Sequence, residues 1–295
     1  MDLDFVLADV FSAQPFMGNQ LAVIPHAEGL TDATMQAIAR EFNFSETTFV
    51  LPPENPTHTC RLRIFTPRHE LPFAGHPTLG TAAVLARRMD AHPSVRQRFT
   101  FEEGIGPVAV DVDSDNACLR LRSPNYETTA ESPPIHAIAK ALSLRETDIT
   151  ESWCAGVGLR FCYVRLANFE AVDRAALEKS AWAVSDANGW SSALYVFAGE
   201  WRSGARLYAR CFAPGAGVDE DPATGSACAG LVASLAERSP AGLEAYELWI
   251  DQGVRMGRPS VLHAEARRER GRLTEVNVSG SVTIVGTGVI TLREL

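Results

Sequence analysis

Three side chains stand where they could move a proton. Glu46 lies between Ser45 and Thr47, just before the apolar run Thr48-Phe49-Val50-Leu51. A carboxylate at the start of an apolar strand and near a cleft is a candidate general base, because burial strengthens its hold on a proton. The same carboxylate also fits a helix-end or capping role, since Asn43 and Ser45 suggest a turn. His76 lies in Gly75-His76-Pro77-Thr78-Leu79-Gly80, and Asp221 in Asp221-Pro222-Ala223-Thr224-Gly225-Ser226. His76 reads either as an acid/base group or as a structural histidine. Asp221 reads either as a catalytic carboxylate or as a helix N-cap in the solvated acidic run Asp219-Glu220-Asp221.

These segments are related by an internal repeat. The run from Arg61 to Pro67 and the run from Leu207 to Pro214 both end a strand with Phe-x-Pro. Shortly after, His76-Pro77-Thr78-Leu79-Gly80-Thr81-Ala82 lines up with Asp221-Pro222-Ala223-Thr224-Gly225-Ser226-Ala227. Upstream, Thr48-Phe49-Val50 matches Leu194-Tyr195-Val196. Proline and glycine at helix starts are common grammar, but here the order strand, turn, small-residue helix occurs twice. A helix start offers unpaired backbone N–H groups and the positive end of the helix dipole. Two facing starts would bind a carboxylate, and Gly80, Thr81, Gly225 and Ser226 would let it approach the backbone. A cleft of this kind presents one catalytic group to each side of a substrate. The symmetry is broken at the chemistry: Ser45-Glu46-Thr47 faces Ser191-Ser192-Ala193, and His76 faces Asp221.

The elements that must position these groups are mostly strands. Short runs rich in Val, Ile, Phe and Tyr recur from Phe5–Val10 onward and end with Glu275–Val278 and Ser281–Thr291. Helices are expected from Thr31 to about Glu41, over Pro134–Leu142 and Arg174–Val184, and at the two small-residue segments Thr78–Met89 and Thr224–Glu237. The fold class is α+β, with more strand than helix and each small-residue helix enclosed by strands. Residues 122–133 have linker composition. The expected lobes are 1–122, completed by a C-terminal strand at about 282–295, and 123–281.

Composition narrows the partners. Hydrophobic residues make up 46% and charged residues 21%, and the net charge is -9, as in an ordinary soluble globular chain. An acidic surface argues against nucleic acid and anionic membranes, and leaves room for a small anionic substrate at a local cationic site. Asp2 and Asp4 follow Met1 with no basic start and no long apolar run, so no signal peptide or membrane span is expected and the expected compartment is cytoplasmic. The six cysteines show neither Cys-x-x-Cys nor zinc spacing, and most of them read as buried free thiols.

At these residues the chain resembles the PhzF-like phenazine-biosynthesis family. The resemblance rests on Pro15-Phe16-x-Gly18-Asn19-Gln20-Leu21-Ala22-Val23, Phe44 to Val50, Glu70 to Gly80, Glu220 to Ala227, and Gln252-Gly253 followed by Met256-Gly257-Arg258-Pro259-Ser260. It implies the diaminopimelate-epimerase-like fold, two pseudo-symmetric lobes each wrapping strands around a central helix, with the active site at their junction. It implies isomerisation without cofactor or metal, a small carboxylate-bearing substrate and a homodimer. In the family's phenazine enzyme that substrate is trans-2,3-dihydro-3-hydroxyanthranilate. Carried over, Glu46 is the acid/base, and His76 and Asp221 hold the substrate or assist reprotonation. Ser226 and neighbouring backbone at Gly225 bind its carboxylate, and Asn19 and Gly75 line the cleft. The related epimerases and proline racemases use one cysteine per lobe. Neither turn has a cysteine here, which speaks against two-thiol racemisation. An amino-acid epimerase and a non-catalytic binding protein on the same fold remain the alternatives.

Overall fold

A computed structural model of the chain describes residues 1–89, 96–113, 116–122, 124–191, 193–200, 202–240 and 243–292. They form two compact units, Met1–Leu121 with Ser279–Leu295, and Arg122–Val278.

The first unit holds β1 (Asp2–Val10), β2 (Asn19–Ile24), α1 (Asp32–Phe42), β3 (Glu46–Leu51), β4 (Cys60–Phe65), β5 (Glu70–Leu71), α2 (Gly75–Arg88), β6 (Gln97–Glu103), β7 (Gly106–Asp113) and β8 (Asn116–Arg122). The second holds β9 (Tyr126–Thr128), α3 (Ile135–Ala141), β10 (Ile149–Val157), β11 (Leu159–Leu166), α4 (Phe169–Arg174), α5 (Lys179–Ala183), α6 (Asp186–Trp190), β12 (Leu194–Ala198), β13 (Ala205–Ala213), β14 (Val218–Asp221), α7 (Gly225–Arg238), β15 (Ala245–Gln252) and β16 (Ser260–Glu269). The last strand, β17 (Arg272–Thr291), contributes residues to both units.

In the first unit β1 pairs antiparallel with β17 and β2, β2 parallel with β3, β3 antiparallel with β4, β4 parallel with β6, and β6 and β7 continue antiparallel to β8. A β8–β17 pairing closes the ring into a barrel. In the second unit β10, β11, β12, β13, β15 and β16 repeat the sequence antiparallel, parallel, antiparallel, parallel, antiparallel. The short strands β5 and β14 take matching places beside β4 and β13. The class is α+β, and the shared order of pairings is the structural form of the repeat.

Each sheet has a face toward a small-residue helix and a face toward ordinary ones. α2 is buried from Gly75 through Val84, and α7 is buried from Ala227 through Ala236. A helix buried on every side is apolar all round, and here it must also be thin. On the opposite face of the first sheet, Met35, Ile38 and Ala39 of α1 pack on Leu3, Ile24, Phe49 and Phe65. Thr31 caps α1 by accepting from the Thr34 N–H at 3.2 Å. In the second unit the short helices α3 to α6 supply Ile138, Val172, Trp182 and Ala187 against Val164, Val196 and Phe212.

Several expectations are corrected. The helix expected over 174–184 is broken into α4 and α5. The Ala176 and Glu178 N–H groups between them bond the Leu142 and Ala141 carbonyls at the end of α3, at 2.9 and 2.8 Å, so this stretch satisfies a neighbouring helix end instead of its own ladder. The linker-like stretch 122–133 contains β9, paired with β10; its Ser123 lies outside the described residues. Glu275–Val278 and Ser281–Thr291 are one continuous strand, β17. Residues 293–295 of the expected terminal strand lie outside the described residues.

The alignment of the repeat is also corrected. α2 and α7 both have 14 residues and start at Gly75 and Gly225. Their sixth residues are Gly80 and Gly230. A Cβ on Gly80 would lie 2.5 Å from Leu21 Cδ2 and 2.7 Å from Val10 Cγ2, and one on Gly230 would lie 2.2 Å from Tyr163 Oη. Gly80 presses its helix onto β1 and β2, and Gly230 presses its helix onto β10 and β11. Gly75-His76 therefore corresponds to Gly225-Ser226, and Asp221-Pro222 precedes the second helix. Gly80 and Thr81 are not at a helix start: Thr81 is buried and bonds Thr48, Oγ1 to Oγ1 at 2.9 Å. Gly80→Ala and Gly230→Ala are each expected to lower unfolding free energy by about 1–3 kcal/mol through overpacking. Denaturant titration checks this; midpoints equal to wild type would mean the helix has room to move.

Candidate active site

The first half-site forms where β2, β3 and α2 begin. After Val10 the chain turns through Gly18, at φ 73°, where a Cβ would lie 2.4 Å from the Val10 carbonyl oxygen, so the turn needs glycine. That turn delivers Asn19 to the first position of β2. Asn43 ends α1 in the left-handed region at φ 53°, and the chain then enters β3 at Glu46. Parallel pairing sets Glu46 opposite Leu21. The cap of α2 is Ala74, followed by Gly75 and His76 in the first turn. Pro77 fits there because its missing N–H would have no partner inside the helix.

These elements bring Asn19, Glu46, Gly75 and His76 together. His76 Nε2 lies 3.5 Å from Glu46 Oε2. On the other side of the ring, His76 Nδ1 lies 3.3 Å from Asn19 Nδ2. Ser45 Oγ donates to Asn19 Oδ1 at 3.3 Å. The Asn19 amide thus lies between Ser45 and the His76 ring, and which of Nδ1 and the amide donates follows the ring's tautomer. Burial pushes the His76 imidazole down to about 3, opposed by a hydrogen bond with the Gln20 backbone. The ring is therefore uncharged at neutral pH.

The second half-site is the turn before α7. Asp221 ends β14, Thr224 is the cap of α7, and Gly225 and Ser226 open the helix. Thr224 Oγ1 donates to Asp221 Oδ2 at 2.5 Å. Gln252, at the end of β15, holds both sides of this turn. Its Nε2 donates to the Asp221 carbonyl at 2.7 Å and to Thr224 Oγ1 at 2.9 Å. Its Oε1 accepts from the Thr224 N–H at 3.3 Å and from Tyr195 Oη at 3.1 Å. Gln252 and Tyr195 are both fully buried, so a clamp without solvent aims the Asp221 carboxylate. Burial holds the Tyr195 phenol well above its ordinary range, where it stays a donor.

The register of β3 and β12 sharpens the broken symmetry. Thr47 pairs with Phe65 and Leu194 with Phe212, so the position matching Glu46 is Ala193, and the second unit has no acid there. Ser192 lies outside the described residues. The helix-cap positions are Ala74 and Thr224, neither a cysteine. Cys228 lies one turn into α7, fully buried, 3.5 Å from Tyr195 Oη, and burial pushes its thiol up to about 12. All six cysteines are free.

Sequence reasoning gave Gln252 no role and missed Tyr195, Thr78 and Glu103. Glu103, at the end of β6, accepts or donates at 2.8 Å to Thr78 Oγ1 in the first turns of α2. In sequence, Glu102-Glu103-Gly104 looks like a solvated turn. Two open cavities, of about 590 and 670 Å³, lie elsewhere: one beside Arg61, Glu70 and Glu103, the other beside Asn168, Phe169 and Arg206. Neither includes Glu46, His76 or Asp221. Among the described residues no three His, Cys, Asp or Glu side chains are grouped to hold a metal ion, and no helix is long and apolar enough to cross a membrane.

Known proteins share this arrangement of sequence and fold. Residues 8–288 match the family described as phenazine biosynthesis-like protein, PhzC-PhzF. An uncharacterized isomerase of Mesorhizobium japonicum is 38% identical, with 97% of each chain covered. The trans-2,3-dihydro-3-hydroxyanthranilate isomerase of Pseudomonas fluorescens is 36% identical over 98% of this chain and 99% of its own. The crystal structure of a Bacillus anthracis phenazine biosynthesis protein of the PhzF family superposes with a TM-score of 0.85 at 22% identity, over 99% of this chain and 100% of that one, and shares the fold. The chain belongs to the phenazine biosynthesis-like PhzC-PhzF family, and it is an isomerase of that family.

Proposed function

We propose that the chain moves a proton on a small carboxylate-bearing substrate without a cofactor, with Glu46 as the acid/base. The carrying observation is the half-buried Glu46 beside the buried His76, Oε2 to Nε2 at 3.5 Å. An imidazolium at that distance would hold the carboxylate in its anionic form and make it a weaker base. Burial keeps His76 neutral instead. A neutral imidazole can hydrogen-bond a carboxylate or a substrate oxygen without competing for the proton at neutral pH.

In this reading Glu46 takes a proton from one carbon of the substrate and the resulting acid returns it to another, so no net proton is consumed. His76 and Asn19 fix the carboxylate's direction. Asp221, aimed by Thr224, holds the substrate or assists the return. The free N–H groups at Gly225 and Ser226, with the Ser226 hydroxyl, take the substrate carboxylate, which suits a helix start. Gly75 lines the place of the substrate beside His76. The trans-2,3-dihydro-3-hydroxyanthranilate of the Pseudomonas fluorescens relative is the first compound to test. The same reading carries a cytoplasmic homodimer, and sedimentation of the purified chain tests the dimer.

Glu46→Gln should lower turnover by about 10²–10⁴-fold, the range for loss of a general base, with folding and ligand binding retained. Incubation in heavy water, with deuterium uptake into the substrate followed by NMR, is the measurement. Wild-type rates in Glu46→Gln would sink the mechanism. The epimerase alternative needs a reactive thiol. Cys228→Ala should retain deuterium exchange, and native Cys228 should resist iodoacetamide, because its thiol is buried and protonated. Loss of exchange on alkylation at Cys228 would favour the thiol mechanism.

A further inference from the structure

The start of α2 is held by a residue outside the proton-transfer set. Glu103 Oε1 lies 2.8 Å from Thr78 Oγ1. The same hydroxyl lies 2.7 Å from the carbonyl oxygen of Ala74, the cap of α2. A threonine hydroxyl has one proton and a carbonyl oxygen has none. The hydroxyl proton can be shared between the two acceptors, but each contact has a proton of its own when the hydroxyl donates to Ala74 and the carboxyl of Glu103 donates to the hydroxyl. An ionised Glu103 would leave these three oxygens with a single proton among them.

The surroundings favour the acid form. Glu103 is 9% exposed, and its Oε2 has no hydrogen-bond partner among the described residues. Burial pushes its carboxyl up to about 8, against the Thr78 hydrogen bond. Among the described residues the cations beside it, Arg61 and Arg63, are paired with other carboxylates. On β4 the Cys60 thiol is pushed up to about 12, first by burial and then by Glu103 and Glu102, and stays neutral. Arg61 pairs with Glu54 at 2.8 Å, and Arg63 pairs with Glu70 and Asp32 at 2.6 Å each. On β6, Glu102 bonds His58 and the N–H groups of Glu54 and Asn55. β5 contributes Glu70, already paired; β7 contributes Gly106 and Pro107 to the same cavity; and on α2 the nearby His76 is neutral.

The other unit also holds its helix start through a threonine, here the cap residue Thr224, with a group that is always neutral. Gln252 ends β15, which pairs parallel with β13 as β6 does with β4. Gln252 Nε2 donates to Thr224 Oγ1, which donates to Asp221. We propose that Glu103 is a positioning residue of the isomerase: as a neutral acid it donates to Thr78, which donates to Ala74, and this relay fixes Ala74-Gly75-His76 at the start of α2. The relay rests on the reading of His76 as part of the site. Ionising Glu103 turns the Thr78 hydroxyl away from Ala74, so the relay is complete below its pKa and is lost as pH rises through about 8.

The test follows the backbone amide signals of Gly75 and His76 by NMR as pH rises through about 8. In wild type they should shift with a midpoint near that value; in Glu103→Gln, which keeps a neutral donor, they should not. The infrared carbonyl band of a protonated carboxylic acid should be present at neutral pH in wild type and absent from Glu103→Gln. With trans-2,3-dihydro-3-hydroxyanthranilate as probe, Glu103→Gln should keep near wild-type kcat and lose the alkaline fall. Glu103→Ala should lower kcat by about 10–100-fold, the scale of a small misplacement of a catalytic group. Flat wild-type signals, or the same titration in Glu103→Gln, would overturn the proposal. If wild type shows no deuterium exchange while the signals titrate, the isomerase reading fails and the relay stands.

Discussion

A helix enclosed by strands has to be thin, and much of the molecule follows from that. Leu21 and Val10 are fully buried against Gly80, and Tyr163 against Gly230. A methyl group at either glycine would meet atoms that have nowhere to go. With small side chains along its length, each helix gains its place from shape and gives little polar grip of its own. Neither Ala74 nor Thr224 bonds its helix with a side-chain cap. The open N–H groups of the first turn are therefore left to strand ends, to loops and to a ligand. His76 and Ser226, two groups of the proposed site, stand at those starts, where an enclosed helix leaves its polar atoms.

Burial at these starts also decides which groups carry charge. The His76 imidazole, the Tyr195 phenol and the Cys228 thiol are all held in their neutral forms, each chiefly by desolvation. With its proton affinity pushed down to about 3, the neutral His76 is a poor base toward a carbon-bound proton. A neutral Cys228 cannot act as the thiolate that two-thiol racemases need. In the first half-site, Asn19, Ser45 and His76 can hydrogen-bond without taking up a proton, and the carboxylate of Glu46 is left as the basic group. The assignment of a one-base mechanism thus rests on what burial removes from the other candidates as much as on Glu46.

The sequence shows the parts of this design that are local and hides those that depend on packing. Phe-x-Pro strand ends, two Ala-rich helices and the Ser45-Glu46-Thr47 run are legible directly, and they suffice for the α+β class and for half of the site. The Pro-x-x-Gly match is misleading by five residues, because proline and glycine report only a nearby turn, whereas Gly80 and Gly230 are equivalent through the strands they touch. Glu102 and Glu103 are the same letter twice. Strand alternation sends one to His58 and the other to Thr78, and only the register of β6 decides which goes inward. Gln252 is likewise silent until β15 is placed beside β13.

In both units a threonine hydroxyl links the end of a strand to the start of the enclosed helix, and in the proposed relay the protons run the same way. In one, an amide donates to a threonine hydroxyl, which donates to the acceptor ahead of the helix. In the other, a carboxyl group stands in the place of the amide, and the acceptor is a backbone carbonyl instead of Asp221. A duplicated scaffold that keeps donor direction can exchange residue types at the chemistry, since Glu46 against Ala193 and His76 against Ser226 alter no bond on which the helix start depends. An amide cannot lose the proton it donates, but a carboxylic acid can. The unit that carries the proposed base therefore also carries the relay that pH can open, and the unit with the proposed carboxylate-binding helix start keeps one that pH leaves closed.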